Sequence, residues 1–101
     1  MVKTKTSGVV INEISHVVHV DDVPYYMPPT EYRLLGYLMR NKNTLIDRKT
    51  LSKHLKINGS DASRAVDSYI ARLRKHGIDR IKTITGYGYR FDATAEDKII
   101  D

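Results

Sequence analysis

From Gly8 to Met27 short β-branched runs alternate with polar pairs: Val9-Val10-Ile11 before Asn12-Glu13, His16 to Val20 before Asp21-Asp22, then Val23-Pro24-Tyr25-Tyr26. Runs of this length, broken by turn formers, predict three or four short antiparallel strands. Asp21-Asp22 is the expected hairpin turn, its type left open because no glycine is present. Beyond Pro28-Pro29 the period changes. Leu34, Leu35 and Leu38 recur at helical spacing within TEYRLLGYLMRN. Proline is tolerated at the start because the first helical N–H groups have no partner, and Glu31 suits the positive helix end. Gly36 costs about 1 kcal/mol relative to alanine, which fits a close crossing. Asn41 to Asn43 form a loop and Leu45-Ile46 a short extended piece. Asp47 is the expected N-cap of a second helix from about Arg48 to Lys56, with Leu51 and Leu55 inward. Asn58 to Asp61 break the chain, and Ser60 or Asp61 is positioned to cap a third helix, about 61–76, stopped by Gly77 in a left-handed cap. The closing stretch 81–91 alternates around Gly86-Tyr87-Gly88 and reads as a β-hairpin.

At 100° per residue, Ala62, Tyr69, Ile70 and Leu73 fall within about 60° of Val66, which makes that face core. The opposite sector holds Arg64, Ser68, Ala71 and Lys75, flanked by Arg72 on one side and by Asp67 and Arg74 on the other. Small residues at the centre with long cations toward the ends suit a groove of duplex DNA, where arginine reaches guanine edges or phosphate. Asp67 lies one turn from Arg64 and two from Arg74, so a local ion pair that orients a guanidinium is expected. A solvated amphipathic helix is the plain alternative. Strands, a short helix, a turn, a longer basic helix and a hairpin follow the winged helix-turn-helix plan, an α+β fold with an N-terminal antiparallel β-sheet, three helices and a C-terminal β-hairpin wing.

With 101 residues, 41% hydrophobic, the chain suits a single core, expected over residues 1–91, with an acidic tail over 92–101 that should fray. There is no cysteine, which excludes disulfides and thiolate sites and agrees with a reducing compartment, so a cytoplasmic location is expected. No apolar run approaches a bilayer span and the N-terminal MVKTKTSG lacks a signal-peptide core, so no membrane role is expected. Charge is segregated. Residues 30–90 hold 14 of the 17 Lys and Arg but only 5 of the 12 acids. Clustered cations of this kind favour a polyanion, because they release its counterions on binding.

Other chemistry finds little support. His16 and His19 sit three apart in a strand-like stretch, on opposite faces, and His54 and His76 have no ligand-spaced partners, so no metal is expected. Gly86-Tyr87-Gly88 precedes no helix and is a turn, not a nucleotide loop. No serine, histidine and acid constellation emerges, so neither enzyme activity nor a cofactor is expected. Seven tyrosines raise single-strand stacking as one alternative, and a winged-helix protein-interaction module without specific DNA binding is the other.

PTEYRLL, DRKTL, RAVDSYIARLRK and IKTITGYGYRF stand in an order and spacing that resemble the OmpR/PhoB-type winged-helix effector domain of bacterial transcriptional response regulators, over about Val9 to Phe91. The resemblance implies a four-stranded N-terminal sheet, three helices, a C-terminal wing and binding of double-stranded DNA within a two-component system. By position it implies that Arg64, Ser68, Tyr69 and Arg72 face bases or nearby phosphates. Arg48, Arg74 and Thr83 match positions that touch the backbone, and Lys75, Thr85 and Tyr87 join them as expected backbone contacts. Tandem or homodimeric binding on direct repeats, and an RNA polymerase contact through about Ile57 to Ala62, are further implications. The sequence departs from the family at Thr85, where a minor-groove arginine is frequent, and at Lys56, where an aromatic is frequent. It also lacks residues for the usual receiver domain, so an excised effector domain or a regulator without a receiver is expected.

Overall fold

The computed structural model describes residues 8–101; the reading of the N-terminal MVKTKTSG rests on residues that otherwise lie outside them. Strands β1 (Val9–Asn12), β2 (Val17–Val20) and β3 (Val23–Tyr25) form an antiparallel meander. Alternation explains its buried face: Val9, Ile11, Val18 and Val20 point into the core. Asp21 and Asp22 adopt φ of 49° and 70°, and two left-handed residues are what a twisted two-residue hairpin requires, so short acidic side chains do here what Asn-Gly usually does. The Asn12 side chain closes the preceding turn by accepting the N–H groups of Ile14 and Ser15. His16 sits in that turn with φ 62°, not in a strand as expected.

Helix α1 (Pro29–Arg40) is followed by β4 (Ile46–Asp47), α2 (Arg48–His54), α3 (Ala62–Lys75), β5 (Ile81–Ile84) and β6 (Gly88–Phe91). Asp47 caps α2 as expected, its carboxylate accepting the Thr50 N–H at 2.6 Å. That helix ends two residues early, because Leu55 caps it and Lys56 turns left-handed at φ 58°. Asp61 stands at the N-cap of α3 without a side-chain capping bond, so the expected cap is not made. Gly77, at φ 89°, ends the helix as the sequence suggests. Leu34, Leu35 and Leu38 of α1 meet Val66, Ile70 and Leu73 of α3 in one core with Leu51, Ile81 and Phe91. Each such side chain contributes about 1.5–3 kcal/mol on burial.

A second sheet has the order β4-β6-β5, with β4 pairing antiparallel to β6. Gly88 makes this possible: a Cβ there would overlap the Ile46 carbonyl oxygen and stand 2.8 Å from the Asp47 Cα. The wing is therefore joined to the two residues that lead into α2.

The tail corrects one expectation. Instead of fraying, residues 98–100 form β7 (Lys98–Ile100), which pairs parallel with β1 and completes a four-stranded sheet of order β3-β2-β1-β7. The sheet has the four strands that the resemblance implies, but the fourth comes from the far end of the chain and breaks the antiparallel pattern. Asp97 is the reason. Its side chain, 1% exposed, accepts the Val9 N–H at 2.8 Å, the Thr94 N–H at 2.7 Å and the Arg80 Nε at 2.9 Å. Those bonds hold an acidic segment against the sheet that its composition alone would leave in water.

Candidate nucleic-acid interface

The inward face of α3 is committed to the core, which leaves Arg64, Ser68, Ala71, Arg72 and Lys75 exposed along the opposite sector. Tyr69 is shared between the two. It is half-buried against the core, and the Arg72 guanidinium carbon lies 5.2 Å from its ring centroid, so the ring supports an arginine from beneath.

The wing flanks the same helix. Arg74 donates through Nη2 to the Ile81 carbonyl at 2.7 Å and to the Thr83 hydroxyl at 2.8 Å, with its guanidinium 5.9 Å from the Tyr89 ring. Between helix and hairpin lies an open cleft of about 390 Å³ lined by Ser63, Asp67, Thr83, Thr85 and Tyr87, among others. Thr83 and Thr85 are exposed on its rim, and Tyr87 at the tip is 69% exposed.

Asp67 corrects the sequence reading. Its partner is neither Arg64 nor Arg74 but Arg48 at the start of α2, which donates through Nε at 3.1 Å and through Nη2 at 2.6 Å. The same carboxylate accepts the Tyr89 hydroxyl at 2.6 Å. Burial pushes the Tyr89 phenol up to about 12, and the bond to Asp67 adds to the rise. An acid in the middle of a cationic helix was the visible signal, whereas its partners, 19 and 22 residues away, were not readable from local spacing.

Three of the four histidines engage aromatic rings. His16 stacks on Tyr32 at 4.8 Å, His54 on Tyr37 at 3.9 Å, and His76 tilts against Tyr25 at 4.7 Å. Burial holds the His54 imidazole below its ordinary value, and the charges of Arg33 and Arg40 lower it further. Among the described residues no group of three or more His, Asp or Glu could hold a metal ion, and no helix is long and apolar enough to cross a membrane.

Residues 22–91 match the family model described as "Transcriptional regulatory protein, C terminal". The phosphate regulon transcriptional regulatory protein PhoB of Shigella flexneri is 38% identical over 93 residues, which cover 86% of this chain and 41% of that protein. The transcriptional regulatory protein SrrA of Staphylococcus aureus is 32% identical over 98 residues, covering 87% and 40% respectively. The chain thus spans about two fifths of the length of these relatives. Among solved structures, the Klebsiella pneumoniae RstA DNA-binding domain, in complex with the RstA box, superposes with a TM-score of 0.75 at 27% identity, covering 89% of this chain and 95% of that one. A winged helix-turn-helix architecture, the four motif segments in register and a family match over most of its length agree: the chain belongs to the C-terminal domain family of transcriptional regulatory proteins, of the OmpR/PhoB type.

Proposed function

We propose that this domain binds double-stranded DNA in a sequence-specific manner as the output module of a bacterial transcriptional regulator, with α3 in the major groove and the wing along the backbone. One observation carries the reading: α3 buries Val66, Ile70 and Leu73 in the core and presents Arg64, Ser68, Arg72 and Lys75 outward beside the wing. That geometry delivers cations to base edges without uncovering the core. The RstA domain, similar in fold, is solved on its own DNA box, which supports the same use here.

In this reading Arg64, Ser68 and Arg72 contact bases, with Tyr69 at their edge. Arg48, Arg74, Lys75, Thr83, Thr85 and Tyr87 meet phosphates and sugars. The domain works in the cytoplasm as part of a two-component system, binds direct repeats in tandem, and offers the loop from about Ile57 to Ala62 to RNA polymerase. The relatives are named transcriptional regulatory proteins, which supports the regulatory part of the proposal.

Selection of bound duplexes from a random pool, followed by titration on the selected and scrambled sequences, tests it. Arg64→Ala or Arg72→Ala should cost about 1–3 kcal/mol on the selected site, whereas Arg48→Ala should weaken all duplexes alike. Equal losses on both duplexes for Arg72→Ala would reject base readout. An affinity indifferent to salt would reject phosphate binding altogether and favour a protein-interaction module.

A further inference from the structure

A carboxylate in the middle of a reading helix is electrostatically out of place, since it repels the phosphates that its neighbours attract. Asp67 is the acid in that position, half-buried on the flank of α3 that faces the wing. Its oxygens are already engaged. Oδ1 accepts from the Tyr89 hydroxyl at 2.6 Å and from Arg48 Nε at 3.1 Å, and Oδ2 accepts from Arg48 Nη2 at 2.6 Å. A carboxylate offers about four lone-pair sites, so three are taken by α2 and β6. Little is left to accept from a base.

We propose that Asp67 is a positioning residue, which acts through Arg48 and Tyr89 to set the wing at a fixed distance from the reading helix. The inference rests on the DNA-binding reading above and adds a role that does not read sequence. The side-on, two-bond pair with Arg48 fixes the plane of that guanidinium. The bond to Tyr89 ties the helix to the central strand of the wing sheet. Arg74, seven residues further along α3, makes the second tie, to Ile81 and Thr83 of β5. At 1.5 Å per residue the two ties are about 10 Å apart along the helix axis. A single tie would leave the hairpin free to pivot; two at that separation hold both its distance and its angle. The pair also offsets the repulsion of the Asp67 carboxylate locally.

A double-mutant cycle separates positioning from readout. Asp67→Ala should weaken binding about tenfold on selected and scrambled duplexes alike, because wing placement affects backbone contacts common to both. In an Arg48→Ala, Tyr89→Phe background, where the partners are gone, the same substitution should no longer weaken binding and, by removing an unpaired negative charge, should leave it equal or tighter. A loss confined to the selected duplex, or an undiminished loss in that background, would overturn the proposal in favour of direct readout. Asp67→Asn guards against misfolding of the alanine variant: it keeps the side-chain volume and one oxygen acceptor but should still lose most of the coupling to Arg48. A DNA-free readout keeps the two readings apart. Titrating the tyrosines by NMR, Asp67→Asn should bring Tyr89 ionisation down from about 12: burial still raises it, but the negative charge that adds to the rise is gone. If the wild-type domain binds no duplex, the functional reading fails while this titration still reports whether Asp67 holds Tyr89; an unmoved Tyr89 would sink the tie itself.

Discussion

Replacing Asp97 with alanine tests whether the C-terminal strand is an integral part of the fold. The substitution removes the acceptor for the Val9 and Thr94 N–H groups and the carboxylate that meets Arg80, whose side chain is 17% exposed. Breaking a buried pair by removing one partner costs about 3–5 kcal/mol. Two features reduce the loss here. Arg80 retains Asp79, 3.2 Å away on the open surface, and Thr94 is exposed enough for its N–H to turn to water. The stranded Val9 N–H, at the buried end of β1, adds about 1–3 kcal/mol of its own if nothing replaces its partner. A net destabilisation of about 2–4 kcal/mol follows, a large share of the 5–15 kcal/mol typical of a domain. In urea, with a slope near 1–2 kcal/mol per molar for this size, the midpoint should fall by about 1–4 M. Amide exchange supplies a local readout: the Glu13 N–H donates to the Ile100 carbonyl at 2.7 Å, so it should lose protection when β7 lifts. An unchanged midpoint with Glu13 still protected would refute the clamp.

Gly88→Ala should destabilise by at least about 2 kcal/mol in a thermal melt, since the new methyl group overlaps the Ile46 carbonyl oxygen; a neutral result would mean that β4 and β6 do not pair. The depressed His54 value has a definite sign: the unfolded chain takes up the proton first as pH falls, so stability is full above the ordinary histidine value and declines below it. His54→Gln should flatten that part of the pH–stability curve, and an identical slope in the variant would exclude His54 as its source. If the domain binds duplexes as proposed, Thr85→Arg, on the exposed cleft rim, should tighten binding to sites flanked by a narrow A·T-rich minor groove, which competition titrations against G·C-rich flanks would reveal; equal affinity on both would count against a wing in that groove.

What was legible in the sequence follows from the range of the forces involved. The inward stripe Val66, Ile70, Leu73 could be read because helical period and burial coincide within four residues, and Asp47 because its partner Thr50 lies three residues on. The outward display of Arg64, Ser68 and Arg72 followed from the same geometry. The tail was misread because composition reports only the residues beside it in the chain, whereas its fate is decided by Val9 and Arg80, 88 and 17 positions away. Asp67 failed for a related reason: helical spacing offered two arginines on its own element, and tertiary packing supplied a third from α2. Lys56 was expected inside a helix because nothing in its residue type signals a left-handed turn.

The parallel pairing of Val10 with Lys98 also bears on how the domain reaches its native state. Joining partners so far apart in the chain incurs loop-closure entropy before any contact compensates for it, which makes this edge a late and slow step. Until residues 98–100 have been synthesised, nascent β1 presents an unpaired strand edge to its surroundings, and the polypeptide is then most prone to associate with its own copies. Yield during expression should accordingly respond to changes near Asp97 more sharply than native stability alone would suggest.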